Sequence, residues 1–230
     1  VLAQSGVDAG LCARADRPTT LAFVTLTDGQ ASYAFYDENT AGRMLSVADL
    51  PTLAPEIGAV FFGGISLAVE PCAEAYATLA ARAAADRLVM IDPNIRPGFI
   101  ADEARYRARM AGMLAVADVV KLSDEDLTWL MGAGEIAARA QALLQQGPAL
   151  VLVTQGADGV SAFGAGAARK VAAQRVAVVD TVGAGDTFNA GFLAGLADAG
   201  ALDKAAVRAG LPASVLDAAL ALGVQAAAVT

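Results

Sequence analysis

Residues 180–191 read Asp-Thr-Val-Gly-Ala-Gly-Asp-Thr-Phe-Asn-Ala-Gly and directly follow the apolar run 176–179. We expect a strand to end at Val179, a Gly-Ala-Gly turn to follow, and a helix to begin near Asp186. Glycines let successive backbone N–H groups point the same way, and a helix N-terminus carries about half a positive charge. The stretch therefore predicts an α/β unit with an anion cradle at the carboxyl end of a strand.

This cradle differs from two common phosphate-binding motifs. No Gly-Lys-Ser/Thr follows, as a Walker A loop requires, and Phe188 occupies the third glycine position of a dinucleotide fingerprint. Asp186 in the same turn could accept the proton of a hydroxyl group that attacks a bound phosphoryl group. An acidic residue is also common at a helix start without any catalytic role. The complete string, with Gly191 and Gly195 permitting close packing, favours a functional interpretation.

The rest of the chain alternates short apolar strands with helices, which is typical of an α/β fold with a mostly parallel sheet covered on both faces. Predicted strands are 59–62, 88–91, 116–122 and 149–154, with 160–163 and 176–179 as an antiparallel pair. Predicted helices are 72–85, 102–115, 124–131, 135–145, 186–198, 203–209 and 213–228. Segments 20–27 and 31–36 flank Asp28-Gly29 and predict a hairpin beside the sheet. We expect one core domain over residues 1–230 with a small β flap at about 18–38.

Four polar segments follow predicted strands, where open α/β sheets bind their ligands. They are 92–96, 121–126, 154–159 and 180–186. We expect them to converge on one rim of the sheet.

Composition excludes several classes of function. The 16 Lys and Arg against 24 Asp and Glu argue against a nucleic-acid partner, and the absence of histidine excludes Ser–His–Asp chemistry and His-ligated zinc. Cys12 and Cys72 are too few for a four-cysteine zinc site, and we expect both to fill the core in a reducing compartment. Residues 209–230 are too interrupted for a membrane span, and we find no signal peptide, so we expect a cytoplasmic protein with no membrane contact.

Residues 180–195 resemble the second signature of the PfkB (ribokinase-like) carbohydrate kinases. Further segments resemble that family in its order along essentially the whole chain: 18–24, 62–67, 92–97 and 120–123. The resemblance implies a ribokinase-like three-layer α/β/α fold with a β lid. It also implies an ATP-dependent sugar kinase that uses Mg²⁺ and forms a homodimer through the lid. Relatives carry further strands and sugar-reading segments before Val1, and their chains continue past Thr230.

The resemblance assigns catalytic and ion-binding roles in the last signature. Asp186 is implied as the catalytic base that activates the sugar hydroxyl, while the amides of Gly183, Ala184 and Gly185 stabilise the transferring phosphoryl group. Asp180 and the carbonyl of Val182 match positions that hold a monovalent cation such as K⁺. Asp180 would equally suit an ordinary turn at a strand end.

For ATP, the resemblance points to three segments. Thr154, Gly156 and Gly159 resemble the family's Thr-x-Gly-x-x-Gly loop, although an ordinary hairpin turn has the same spacing. Lys121 is implied as a nucleotide contact, with a solvated lysine as the equal alternative. The run 223–228, with Gly223 and Ala226, resembles the small-residue helix near the adenine pocket and equally fits a tightly packed core helix.

Ser123 and Asp126 fall where many relatives carry the Asn and Glu that organise magnesium and phosphate. Both residues depart from that pattern, which puts a direct Mg²⁺ contact by Asp126 in doubt. Ser123 also fits as the N-cap of a helix whose first turn is acidic.

For the sugar, Asn94 and Arg96 match an Asp-x-Asn-x-Arg segment whose guanidinium reaches substrate or phosphate. Tyr33 and Phe35 lie on the flap that closes over the sugar, and as alternating strand residues they would need no ligand. The segments suit fructokinases and 2-keto-3-deoxygluconate kinases alike. Asp37 after the flap aromatics would repel a substrate carboxylate, which favours fructose. Ribokinase, adenosine kinase and a non-catalytic nucleotide-binding module stay open as alternatives.

Overall fold

The computed structural model describes residues 2–27, 30–165, 168–174 and 182–229, with the side chains of 25–33 left aside. Within these residues the strands of the main sheet are β3 (Ala59–Gly63), β4 (Leu88–Asp92), β5 (Val119–Ser123), β6 (Leu150–Thr154), β7 (Val160–Gly164) and β8 (Arg169–Val171), which follow a separate hairpin of two strands. They lie in the order β3-β4-β5-β6-β7-β8. Strands β3 to β6 run parallel, and β7 and β8 are antiparallel additions at one edge.

Helices cover both faces of this sheet, because the central strands are apolar on both sides. Every residue of β4 is buried, and its side chains alternate between two hydrophobic cores. One core lies under α1 (Cys72–Ala83), α2 (Glu103–Val116), α3 (Asp124–Met131) and α4 (Ile136–Leu144); the other lies under α5 (Ala184–Asp198), α6 (Lys204–Ala209) and α7 (Ala213–Ala227). The predicted three-layer α/β/α fold is confirmed.

A hairpin stands apart from the main sheet, as predicted. Strands β1 (Leu21–Thr27) and β2 (Gln30–Tyr36) pair antiparallel as a separate two-stranded sheet. Leu21, Phe23 and Tyr36 are about half exposed or more, at 49%, 55% and 64%. The hairpin therefore keeps an apolar surface outside the two cores.

The structure corrects two details of the sequence-based prediction. Helix α2 continues to Val116 and β5 begins only at Val119, whereas we expected a strand over 116–122. Strand β7 pairs antiparallel with β6 and with β8, and we did not predict β8. The predicted strand 176–179 lies outside the described residues, so its pairing with 160–163 stays a prediction. Cys72 is buried as expected, but Cys12 is exposed and does not fill the core.

A buried carboxylate explains why α2 and β5 are separated. Asp118, with no exposed surface, accepts a hydrogen bond of 2.8 Å from the backbone N–H of Val89. Its two oxygens also bind Lys204 Nζ at 2.7 and 2.8 Å, and Oδ1 binds Arg208 Nε at 2.5 Å. We call Asp118, Lys204 and Arg208 the amino-end cluster, because it ties α6 to the amino end of β5.

Helices α5 and α7 approach each other through small residues. A Cβ built on Gly195 would lie 2.6 Å from the Cα of Ala219, and one on Gly191 would lie 2.7 Å from the carbonyl oxygen of Leu222. Side chains at these positions would collide with backbone, so both glycines are needed for close packing. This contact fixes the helix that begins at the anion cradle.

No helix within the described ranges combines the length and apolar character needed to cross a bilayer.

Candidate active site

The polar segments at the carboxyl ends of the strands line one cleft of about 730 Å³. Described residues from all four segments contribute to it: Asp92, Asn94, Arg96, Lys121, Ser123, Asp126, Thr154, Gly156, Val182, Gly183, Gly185 and Asp186. The convergence expected from the sequence is therefore present. We call this space the cleft.

The Gly-Ala-Gly turn forms the N-terminus of α5 at the cleft. Gly183 is the N-cap residue and has φ +86°, a left-handed conformation that glycine adopts without strain. No side chain of the described residues caps this helix, and the N–H of Thr187 donates to the carbonyl of Gly183 at 2.9 Å. The N–H groups of the first turn lack intrahelical partners, which suits them to bind an anion.

Asp186 stands in that same turn and is exposed. It lines the cleft beside Gly183 and Gly185, so a group bound at the amides would meet its carboxylate. Ala184 belongs to the same turn but is not among the lining residues. The arrangement can hold an anion and accept a proton next to it.

Three buried polar residues lie behind the turn. Asp92, Lys121 and Asn189 are 2%, 5% and 2% exposed. Lys121 Nζ lies 2.9 Å from Asp92 Oδ2, and Asn189 Nδ2 donates to the same oxygen at 2.7 Å. We call these three residues the carboxyl-end cluster. Lys121 is thus neither solvated nor free, but ion-paired under the turn.

The loop 92–96 is held by two carboxylates. Asp92 Oδ1 accepts from the N–H of Asn94 at 3.1 Å, and Asn94 itself has φ +42°. Asp126 Oδ1 accepts from the N–H of Ile95 at 2.9 Å. Arg96 is exposed and faces the cleft, with one donor used on the carbonyl of Ile95 at 3.0 Å. Among the described residues the guanidinium has no further acceptor, so four of its five N–H donors can serve a ligand.

Asp126 also completes a capping box with Ser123, confirming Ser123 as the N-cap of α3. The N–H of Asp126 donates to Ser123 Oγ at 3.0 Å, and the N–H of Ser123 donates to Asp126 Oδ2 at 3.4 Å. Burial raises the pKa of Asp126, the charge of Asp92 adds to this, and the hydrogen bonds oppose it in part. Both oxygens of Asp126 serve backbone amides, which is a positioning task, and its predicted Mg²⁺ contact stays a prediction.

The loop 154–159 is both a hairpin turn and a cleft wall. It joins the antiparallel strands β6 and β7, and the N–H of Gln155 donates to the carbonyl of Gly159 at 2.8 Å. Thr154 and Gly156 line the cleft, whereas Gly159 is buried, and a Cβ there would lie 2.0 Å from the carbonyl oxygen of Val171. The structure thus gives Gly159 a packing role.

The predicted adenine-side helix packs against α5. A Cβ on Gly223 would lie 2.9 Å from the ring of Phe188, and Ala226 faces the position of Gly191. Neither residue is among those that line the cleft. Their contact with nucleotide stays a prediction, while the tight helix contact is present.

The hairpin contributes Phe35 to the cleft. Its ring packs edge-on against Phe99 with the ring centroids 4.6 Å apart, and both residues line the cleft. The side chain of Tyr33 and all of Asp180 lie outside what the structure describes. Asp37 does not line the cleft: its Oδ1 accepts from Thr20 at 2.6 Å and Thr40 at 2.9 Å, beside a separate cavity of about 790 Å³. We predicted that Asp37 would repel a substrate carboxylate, but its position outside the cleft does not support that prediction.

Sequence reasoning missed Asn189 and gave no role to Asp92. The available signal for Asn189 was its place between Phe188 and Phe192, because a polar residue inside an apolar helical stripe is unusual. Its partner, 97 positions away along the chain, was not readable from spacing.

Comparison with known proteins identifies the family to which the chain belongs. Residues 1–229 match the model of the pfkB family carbohydrate kinases. The chain is 52% identical over 195 residues to a fructokinase of Rhizobium leguminosarum bv. trifolii, covering 85% of this chain and 60% of that protein. It is 37% identical to a fructokinase of Klebsiella pneumoniae, covering 90% of this chain and 69% of that one. The chain belongs to the pfkB family of carbohydrate kinases.

Solved structures agree with this membership. A double mutant of Vibrio cholerae fructokinase, in a fructose-, ADP- and potassium-bound form, superposes with a TM-score of 0.82 at 25% identity, covering 99% of this chain and 71% of that one. A Xylella fastidiosa fructokinase with bound ATP gives 0.80 at 30% identity, covering 97% and 72%. Aminoimidazole riboside kinase of Salmonella enterica gives 0.80 at 26% identity, covering 100% and 72%. The chain spans about 60% of the length of the Rhizobium protein.

Proposed function

We propose that the protein is an ATP-dependent fructokinase that transfers the γ-phosphoryl group of ATP to a hydroxyl group of fructose. The observation that carries the proposal is the placement of Asp186 beside the uncapped amides of the α5 turn in one cleft. The similarity to the Rhizobium fructokinase supports fructose as the sugar. Magnesium, a monovalent cation and the cytoplasm as location belong to the same proposal.

The proposed mechanism divides the work between one carboxylate and the turn. Asp186 accepts the proton of the attacking sugar hydroxyl, whose oxygen forms the new bond to phosphorus while the bond to the ADP oxygen breaks. The amides of Gly183, Ala184 and Gly185 donate hydrogen bonds to the phosphoryl oxygens and stabilise their charge. Arg96 also lines the cleft and can bind the sugar or the same phosphoryl group.

The charge of the cleft fits a nucleotide that arrives with a divalent cation. Asp124, Glu125, Asp126 and Asp186 line it, while Lys121 is already paired with Asp92. An ATP anion alone would be repelled by these carboxylates, and bound Mg²⁺ would neutralise phosphate charge. Among the described residues, no group of three or more acidic residues or cysteines converges to hold a metal by itself. We therefore expect Mg²⁺ to be held largely by the phosphates, with K⁺ near Asp180 and the carbonyl of Val182.

Two features of the hairpin support the proposal that it acts as a lid over the cleft and as the interface of a homodimer. Phe35 reaches the cleft from the hairpin, while Leu21, Phe23 and Tyr36 stay exposed on it. Exposed apolar side chains on a small antiparallel sheet favour pairing with a second copy. We propose that two hairpins pair in this way. Tyr33 belongs to this lid in the proposal, as a contact of the sugar.

Replacing Asp186 tests the proposed base. We expect Asp186→Asn to lower kcat for fructose by about 10² to 10⁴-fold, because the amide cannot accept the proton. The measurement is coupled detection of ADP with fructose, ribose, 2-keto-3-deoxygluconate, adenosine and aminoimidazole riboside. The wild-type protein should prefer fructose.

Asp198→Asn is the matched control, because Asp198 is exposed at the other end of the same helix. It should retain wild-type turnover. Full turnover in Asp186→Asn would refute the base assignment, and a preference for another substrate of the panel would replace fructose by that substrate.

A further inference from the structure

Asn189 occupies a place on α5 that its chemistry does not favour. It lies one turn beyond Gly185, is buried between two phenylalanines, and uses Nδ2 to bind Asp92. Its Oδ1 has no hydrogen-bond partner in the part of the chain that the structure describes. The orientation follows from charge, since an amide oxygen turned toward the carboxylate would be repelled.

A buried, half-satisfied amide costs stability. An unpaired buried polar atom loses its hydrogen bonds to water without replacement, and an apolar residue of similar shape would avoid that loss. Asp92 would still have Lys121 and the N–H of Asn94 as partners. Stability alone therefore gives no reason for an asparagine at this position.

The cation that shares Asp92 with Asn189 lies against the turn where we propose that the phosphoryl group binds. A Cβ built on Gly185 would be 3.1 Å from Lys121 Nζ, so the ammonium group is in close contact with the α5 turn. Lys121 and Asn189 bind the same oxygen of Asp92, at 2.9 and 2.7 Å. The position of the ammonium relative to the turn therefore depends on a carboxylate that Asn189 holds from α5.

We propose that Asn189 is a positioning residue for phosphoryl transfer: through Asp92 it fixes the Lys121 ammonium behind the amides of residues 183–185. The fixed positive charge adds to the field of the helix N-terminus where phosphoryl charge develops. This inference rests on the proposed kinase function. It adds to that function a residue that touches neither substrate nor nucleotide.

The test compares Asn189→Leu with Phe192→Leu in the full chain. Phe192 is equally buried on the same helix and lies in the apolar core. We expect Asn189→Leu to lower kcat about tenfold, to leave the KM for fructose within threefold, and to keep or raise the melting temperature. Phe192→Leu should lower the melting temperature and keep kcat. A wild-type kcat with a lowered melting temperature in Asn189→Leu would overturn the proposal.

A second measurement does not need turnover. The ¹⁵N resonance of the Lys121 ammonium, assigned by its loss in Lys121→Met, should be observable in the wild type, because burial and pairing slow its proton exchange. It should shift and broaden in Asn189→Leu, and an unchanged resonance would overturn the proposal. A wild type without kinase activity would refute the proposed function alone, and this resonance would then decide the role of Asn189.

Discussion

Asp92, the last residue of β4, and Asp118, directly before β5, are both buried carboxylates, but they are neutralised differently. Asp118, at the amino end of β5, has two cationic partners and a backbone amide, and both cations reach the surface at 22% and 41% exposure. Asp92, at the carboxyl end of β4, has one cation, and that cation is buried. The amino-end cluster resembles a structural clamp, whereas the carboxyl-end cluster keeps a charge inside the protein next to the cleft.

The two clusters differ in how much their ion pairs can stabilise the fold. Buried ion pairs are poor stabilisers compared with apolar packing, so a fully buried pair calls for another reason. For the buried Asp92–Lys121 pair, we take the reason to be its position next to the α5 turn at the cleft. At the amino end the cations stay hydrated, and the pair joins α6 to the sheet at a lower desolvation cost.

The largest effect should come from removing both cations of the amino-end cluster. Lys204→Met combined with Arg208→Met leaves Asp118 buried without a counter-charge, which should lower the free energy of unfolding by about 3 kcal/mol. Urea denaturation measures the loss, and kcat of the folded protein should stay at the wild-type value. Lys204→Met alone, with Arg208 still in place, should cost much less. A loss of turnover in the folded double variant would remove the distinction between the clusters.

A smaller effect should follow from crowding the carboxyl-end cluster. In Gly185→Ala the new Cβ would stand 3.1 Å from Lys121 Nζ and displace the ammonium by a few tenths of an ångström. Since one positioned charge is disturbed but not removed, we expect kcat to fall about tenfold. Steady-state kinetics and a melting curve measure both consequences. Gly112→Ala in α2, where a Cβ meets no atom within 4 Å, is the control and should keep turnover.

The smallest effect should be the pH dependence of the unfolding free energy that Asp126 contributes at the carboxyl end of the sheet. Burial raises the pKa of Asp126 above its ordinary value of 3.8, so the folded state holds that proton more tightly than the unfolded state. The unfolding free energy of the wild type minus that of Asp126→Asn should therefore be greatest below pH 3.8 and fall as pH rises through the raised pKa. Denaturation between pH 3 and 7 measures the difference. A difference that grows with pH would contradict the assignment.

Much of the site was readable from local sequence. The cradle at Gly183–Asp186, the N-cap at Ser123 and the polar strand ends depend on turn chemistry and on the rule that parallel strands end together. The boundary between α2 and β5 was misplaced, because 116–122 is apolar enough for either element. The hydrogen bonds between Val89 and Asp118, which join backbone to backbone and backbone to side chain, show where the helix ends and the strand begins.

Local sequence patterns were enough to predict the covered parallel sheet, the hairpin and the cleft, since hydrophobic period and glycine placement act over a few residues. The burial of Lys121, the place of Asp37 beside a separate cavity and the contact of Asn189 with Asp92 are visible only in the folded chain. Those outcomes depend on distances between strands and helices far apart in the chain, where desolvation and charge, rather than local conformational preference, determine which side chains pair.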